Sequence, residues 1–501
     1  MKSIHSKSVG LVLGPILFIV LLIFNVAPEN QVAGYTLAVA ALMAVWWITQ
    51  AIPISVTSLI PVGLFPLLGI MNGKDVSSTY FNHVIFLFIG GFLVALAMEK
   101  WNLHKRIALR LMILMGNKPG HILFGLMLAT AFLSMWMSNT ATSMMMIPIV
   151  ISVIHGLNLQ NRRQQRFKLA LLLGIAYSAS IGGIATLVGT PPNLSFTRIF
   201  SIIFPQAPEI NFVSWLIFAI PLTIILFIII FFWLKYLYHP GKEWKPESRS
   251  LFAKEYQKLG KASFEEKVVF IIFVSMAVLW ITHSGISFGS FSISGWSSFF
   301  PHPEYINDGT IAILLASILF AIPTKKEKGE RILMADTIAK LPWRIVLLFG
   351  GGFALASGFS ESGLSIWFGE QLSWTSQYHP LIVVFSITFL MSFLTELTSN
   401  TATTEMILPI LAGLAVSIQI NPLLFMLPAT LAASLAFMLP VATPPNAIIF
   451  GTQMIEIKDM IRTGFLINII AVIIVSLWVY FFGEYIFNMN MLEFPSWAHP
   501  K

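Results

Sequence analysis

Apolar runs long enough to cross a membrane recur along the chain, separated by short polar stretches. Crossing roughly 30 Å of hydrocarbon takes about 20 mostly apolar residues in a helix. By that measure residues 9–27, 35–52, 54–70, 84–99, 168–200, 212–236, 267–283, 310–323, 345–360, 422–450 and 462–486 are eleven candidate spans. The 310–323 run is short for a crossing, and the 168–200 and 422–450 runs are long and broken by Pro-Pro. The first run follows Lys2 and Lys7, as a signal peptide would. It is too long for one, lacks a small-x-small cleavage pattern and precedes further apolar runs, so it reads as a first helix.

Two further stretches fit neither one crossing nor two. Residues 121–156 would be about 54 Å long as a helix, with Lys118 before them and Arg162 and Arg163 after them. Basic residues at both ends place both ends on the cytoplasmic side. A re-entrant hairpin satisfies this, its tip buried in protein or lining a wet cavity. Residues 380–420 have no Lys or Arg near either end, and read as a second hairpin entering from outside. The fold expected is an all-α polytopic membrane protein with about eleven transmembrane helices and two re-entrant hairpins. Its N-terminus lies inside and its C-terminus outside. The basic loops 100–118, 161–168, 235–267, 325–344 and 458–462 then all fall inside, and 71–83, 201–211 and 284–309 fall outside.

Composition agrees. Of 501 residues, 56% are hydrophobic and only 10% charged, with a mean hydropathy of +0.82. A soluble domain carries about 25% charged residues, so a cytosolic enzyme and a disordered chain are excluded. There are no cysteines, hence no disulfides, thiolate nucleophile or Cys-bound metal. The net charge of +8 belongs to cytoplasmic loops. No basic stripe carries interleaved aromatics, which argues against nucleic acid.

The chain repeats itself. Met137-Ser138-Asn139-Thr140-Ala141-Thr142 recurs as Thr398-Ser399-Asn400-Thr401-Ala402-Thr403, an offset of 261 residues (400 − 139). Phe88-Ile89-Gly90-Gly91-Phe92 recurs as Phe349 to Phe353 at the same offset. Gly189-Thr190-Pro191-Pro192-Asn193 recurs as Ala442-Thr443-Pro444-Pro445-Asn446, at 253 (443 − 190). The flanking charge is inverted. Residues 51–85 hold only Lys74 and 99–121 hold five Lys or Arg, whereas 325–344 hold six and 345–457 none. Inverted repeats with interrupted helices are the architecture of secondary transporters, with the site near the midplane between the repeats.

Each Ser-Asn-Thr motif supplies two hydroxyls and an amide at a hairpin tip. Exposed helix N–H groups there bind anions, while unwound carbonyls and Ser, Thr and Asn oxygens suit Na⁺. The Thr-Pro-Pro-Asn breaks act similarly, since proline removes donors and opens the helix. A lone motif of this kind would be read as a packing device; two inverted copies point to a site. Neither motif contains Lys or Arg, so an anionic substrate would be neutralised by helix dipoles, hydroxyls and bound cations. That favours cation-coupled uptake.

With these motifs the chain resembles the divalent-anion/sodium symporter family, which includes sodium-dicarboxylate cotransporters. The resemblance spans nearly the whole chain. It implies a homodimer in the lipid bilayer, working as an elevator, and substrates such as succinate, malate, fumarate, 2-oxoglutarate or citrate. It implies scaffold parts at 1–118 and 267–375 and a cytoplasmic linker at 239–266. The implied transport parts are 119–238 (hairpin 121–156, broken helix 168–200) and 376–501 (hairpin 380–420, broken helix 422–450). Carried over by position, one Na⁺ site would use Ser134, Ser138 and Asn139 with the backbone at Gly189. The other would use Thr395 and Asn400 with the backbone at Thr398 and Ala442. Ser138, Asn139 and Thr140 at one end, and Ser399, Asn400 and Thr401 at the other, would meet the substrate carboxylates. Thr190, Thr443 and Pro444 would line the pocket. No cofactor other than coupling Na⁺ is implied.

One residue departs from the family pattern. Glu405, five positions after Asn400, falls where a small or apolar residue is expected. An intramembrane acid is a functional candidate by default: it could carry a proton or alter sodium dependence, or simply face an internal polar partner. Glu396 reads as an anchor of the second hairpin. A sodium-independent exchanger of the same fold and an anion channel are the rival functions. Gly285-Ile286-Ser287-Phe288-Gly289 matches G-x-S-x-G without the strand-to-helix context it needs, and no P-loop or H-E-x-x-H occurs, so no enzyme is expected. The absence of targeting features suits a bacterial inner membrane.

Overall fold

In the computed structural model of the chain, the described residues are all but 1, 25, 117, 157–161, 242–247, 289–290, 328, 488–489 and 500–501. Their regular structure is helical, apart from a small antiparallel pair, Ile286–Phe288 with Phe291–Ile293, in an expected outside loop. Among the described residues seven helices are long and apolar enough to cross a membrane, with shorter apolar helices between them. Residues 54–70 do not form one span. Pro53, Pro61 and Pro66 punctuate the run, which folds as Ile54–Thr57 and Ile60–Leu67. Proline removes a backbone donor and crowds the preceding turn, which hydropathy alone does not register.

The 121–156 stretch is two helical arms, Pro119–Ser134 and Asn139–Gly156, joined at Met135–Ser138. The next helix, Arg162–Ile184, runs parallel to the first arm: Gly174 packs on Leu123 and Met127, and Gly182 on Ala131. Lys118 and the start of Arg162–Ile184 therefore lie at one end of this helix pair, and the hairpin tip lies beside the break that ends Arg162–Ile184. The second hairpin has arms Pro380–Leu394 and Asn400–Ser417. It repeats the packing, with Ser392 Oγ donating to Leu435 O at 3.1 Å, the positions that match Ala131 and Gly182.

Each broken helix has two pieces: Arg162–Ile184 with Pro191–Ile203, and Leu423–Ala433 with Pro444–Gly451. The copies interlock. The second arm of each hairpin packs on the post-break helix of the other copy, Asn139–Gly156 on Pro444–Gly451 and Asn400–Ser417 on Pro191–Ile203. The glycine-rich helices His83–Lys100 and Trp343–Glu361 carry the third repeated block. One extended apolar core holds both hairpins and both broken helices, and a smaller one gathers around Trp47, Phe65, Tyr80 and Phe359. In the 239–266 segment, of which 242–247 lie outside the described residues, Ser248–Lys258 is a helix packed on Leu103–Met115. Arg106 holds the segment's end through the Glu266 carboxylate and Gly260 O, the latter at 3.0 Å.

Candidate functional site

At the first tip the helix stops at Ser134 and restarts at Asn139. Ser134 Oγ lies 2.6 Å from Asn139 Oδ1 and 2.7 Å from Ala179 O. Ser138 Oγ accepts from Ala141 N at 3.2 Å. Gly183 lets the break close on this group: a Cβ there would stand 3.1 Å from both Asn139 Nδ2 and Gly189 O. Ser138 and Gly189 also share a small cavity with Phe88, Gly91, Phe92 and Pro191. All three repeated blocks of the first copy thus converge, and Ser134, Asn139 and Gly189 come together. These are neutral oxygens, the donor set that suits a hard monovalent cation.

The second tip is built differently. Ser399 is the N-cap position of Asn400–Ser417. Asn400 Oδ1 is buried without a hydrogen-bond partner, which leaves an unused acceptor where a cation ligand is expected. Thr395 Oγ1 donates to Ser392 O at 3.1 Å, and Thr398 Oγ1 meets Leu394 O at 2.8 Å and Thr403 Oγ1 at 2.7 Å. Among the described residues no hydrogen bond joins Thr395, Asn400 and Ala442 to one another. Glu396 anchors the tip: its carboxylate accepts from the N–H groups of Phe437 (2.7 Å), Met438 (2.9 Å) and Leu439 (2.9 Å), and from Asn468 Nδ2 at 2.9 Å. The first tip, with Met135 at the matching position, is tied instead by Thr186 Oγ1 donating to Met135 O.

The breaks are held open by two asparagines that the sequence reading passed over. Asn193 Nδ2 donates to Thr186 O at 2.8 Å and Gly183 O at 3.3 Å; Asn446 Nδ2 donates to Leu439 O at 3.0 Å and Ala436 O at 3.2 Å. The signal was present, since both end the repeated Thr-Pro-Pro-Asn block. Thr443 Oγ1 caps its helix by accepting from Asn446 N at 3.3 Å. Thr190 Oγ1 instead meets Ser434 Oγ at 3.4 Å, joining the two broken helices. Thr190, Thr443 and Ala442 are buried, and Pro444 is exposed.

A cavity of about 750 Å³ opens beside the first tip. Ser138 and Thr140 line it with Phe92 and Met144, and its charged lining is Glu99, Lys105, Glu255 and Lys340. Pockets for small ligands run about 300–1,000 Å³, so the cavity is of small-molecule size. The second tip, with Ser399, Asn400 and Thr401, does not line this cavity. Among the described residues no cluster of His, Asp and Glu could hold a metal.

Comparison with known proteins gives the family. The family described as the sodium:sulfate symporter transmembrane region matches residues 6–489. A sodium-dependent dicarboxylate transporter of Staphylococcus saprophyticus is 44% identical over 498 residues, 97% of this chain and 93% of its own. One of Staphylococcus aureus is 46% identical over 485 residues, 95% of this chain and 91% of its own. Two solved structures share the fold at 14% identity. One, from work on Neisseria gonorrhoeae MtrF and antimetabolite efflux pumps, has a TM-score of 0.57 and covers 83% of each chain. The other, the Alcanivorax borkumensis YdaH transporter, has a TM-score of 0.54 and covers 84% of this chain and 88% of its own. The internal repeat and its two hairpin tips agree with a match over nearly the whole length, which places this chain in the sodium:sulfate symporter family of multi-pass membrane transporters.

Proposed function

We propose that the chain carries a dicarboxylate across the membrane together with Na⁺. The observation that carries this is the first Ser-Asn-Thr tip. Neutral oxygens of Ser134, Asn139 and Gly189 gather on one side of it, and a cavity of about 750 Å³ opens on the other. A cation held by the tip offsets the charge of an anion that meets Ser138 and Thr140, so each ligand raises the affinity of the other. The names of the close relatives support dicarboxylates over sulfate.

The second tip supplies the matching pair of sites. Asn400, Thr395 and the backbone at Thr398 and Ala442 hold the second Na⁺, and Ser399, Asn400 and Thr401 meet the distal carboxylate once the halves close. Thr190, Thr443 and Pro444 line the path between the tips. The cavity lining includes Lys105 and Lys340 from the basic segments 100–118 and 325–344, and basic loops face the cytoplasm. This conformation is therefore inward-facing, with the N-terminus inside and the C-terminus outside. The hairpins and broken helices, within 119–238 and 376–501, move as an elevator against the scaffold of a homodimer.

The test is radiolabelled succinate uptake into proteoliposomes. One comparison sets an inward Na⁺ gradient against K⁺; the other sets empty vesicles against vesicles preloaded with succinate. Uptake into empty vesicles only with Na⁺ is the result expected. Uptake only into preloaded vesicles, indifferent to Na⁺, would overturn sodium coupling in favour of exchange.

A further inference from the structure

The second arm of the second hairpin carries one ionisable residue, Glu405. Its side chain is fully buried, at 0% exposure. Ser195 Oγ donates to Oε1 at 3.0 Å, and Oε2 has no hydrogen-bond partner. The repeat does not demand an acid there, because the matching residue in the first hairpin is Met144, 61% exposed.

Three bodies meet at this carboxyl. Glu405 belongs to the second hairpin, Ser195 to the post-break helix of the first copy, and Gly352 to Trp343–Glu361. Gly352 faces it so closely that a Cβ would collide with Cδ and Oε2. The ionisable groups on the elements packed against Asn400–Ser417 are few. Arg198, on the helix of Ser195, turns its Nη1 to Ser201 Oγ at 3.4 Å. Arg344 and Glu361, near the two ends of the glycine helix, and Glu370 on Leu364–Gln371 are exposed. Leu423–Ala433 has no ionisable residue, and Tyr35, on Gln31–Thr49, takes a hydrogen bond from Gln31 at 2.5 Å. Tyr80 lies near enough to feel a charge on Glu405 but gives its own hydrogen to Ser58 O at 2.5 Å. Among the described residues no cation pairs with Glu405.

We propose that Glu405 is a proton-binding site, neutral in this conformation and ionised when the second hairpin parts from Gly352. An unpaired carboxylate in such surroundings neutralises rather than bearing the cost of desolvation. The proton comes from water while the group is exposed and returns to water when it is exposed again. Acid then favours the conformation in which the carboxyl is closed against Gly352, and alkali the one in which it is open. One proton sets the limit of the coupling, at most about tenfold in the equilibrium per pH unit. The proposal rests on the moving hairpin of the function proposed above and adds a proton to its cycle.

The experiment compares wild type with Glu405→Gln, which keeps the shape and holds the site neutral. Sodium-driven succinate uptake is measured from pH 5.5 to 8.5, as the ratio of the two proteins at each pH, so that titration of succinate cancels. The expected ratio changes severalfold across the range, with the variant flat apart from the substrate's own titration. A constant ratio overturns the proposal. Infrared spectra of the purified protein give a second readout, independent of transport. A carboxylic acid C=O band present at pH 7 in wild type and absent from Glu405→Gln supports the site; no difference in that region sinks it. If wild type takes up no succinate with Na⁺, the proposed function fails while the infrared result still decides on Glu405. If the Gln variant does not fold, Glu405→Met, the residue of the first hairpin, takes its place in both measurements.

Discussion

Asn193 and Asn446 make the same bonds in opposite halves of the protein. Each sits three residues beyond its Thr, and each turns Nδ2 back onto carbonyls around the break before the prolines: three for Asn193, the nearest Thr186 O at 2.8 Å, and two for Asn446, the nearest Leu439 O at 3.0 Å. A proline pair leaves backbone oxygens without their helical donors, and in a membrane such oxygens must find partners inside the protein. The asparagine amides are those partners. Replacing either by Ala takes the amide donor from Gly183 O or Ala436 O, at about 1–3 kcal/mol for an unsatisfied group, while Thr186 O and Leu439 O keep the N–H groups of Gly189 and Ala442. Asn193→Ala and Asn446→Ala should each lower the melting temperature in detergent by several degrees, and Asp at either position should do no better, because it cannot donate. Equal melting temperatures for wild type and both Ala variants would remove this role.

The tip asparagines should behave in the opposite way. Asn139 contacts Ser134, and Asn400 leaves Oδ1 unused, so neither holds the fold together as Asn193 and Asn446 do. Asn139→Ala and Asn400→Ala should therefore melt within about 1 °C of wild type, no more than about 1 kcal/mol for a chain this long, yet lose at least tenfold in succinate uptake. Uptake at wild-type rates in both would take the site away from the tips.

The hairpins were legible in the sequence because a length that fits no whole number of crossings coincides with like charge at both ends. The repeat was legible because three blocks recur in order with inverted flanks. What the sequence could not display is proximity. Ser195 and Glu405 are 210 residues apart, and Gly352 comes from a third element, so the surroundings of that acid exist only in the folded chain. The Glu396 anchor was visible as an acid beside the motif, but its partners, the N–H groups of 437–439, appear only when the second break opens towards it. Residues 54–70 misled because hydropathy counts Pro61 and Pro66 as compatible with a span.

At the end of the bundle away from Lys118, His283 and Asp308 approach to 3.2 Å, both largely buried. Asp308 Oδ2 also accepts from Phe212 N at 2.9 Å, so the pair fastens three helix ends together. The Asp308 carboxylate raises the imidazole above its ordinary range, with the Glu209 charge adding to it and burial opposing it. A histidine raised on folding stabilises the fold fully below its unfolded value, about 6.5, and loses that contribution as pH climbs through the raised one. Melting temperature should therefore fall as the pH is raised above about 6.5, and His283→Gln should flatten this part of the profile. A slope unchanged in the variant would place the titrating group elsewhere.

The chain has no cysteine, so a single introduced thiol reports its own side of the membrane without background. The first hairpin begins after Lys118 and is followed by Arg163, and the parallel packing of Pro119–Ser134 on Arg162–Ile184 puts both at one end. Lys118→Cys and Arg163→Cys should then react with a membrane-impermeant maleimide from the same face. On the proposed topology the second hairpin enters from the opposite face, so Tyr378→Cys and Gln419→Cys, both exposed positions, should react from the other face, together with Gln206→Cys in the expected outside loop. In right-side-out cells the second set should label and the first should not until the membrane is opened. Labelling of Lys118→Cys and Arg163→Cys from opposite faces would make 121–156 a crossing rather than a hairpin. It would also move the first Ser-Asn-Thr motif away from a re-entrant tip, and with it the cavity assignment that the transport reading depends on.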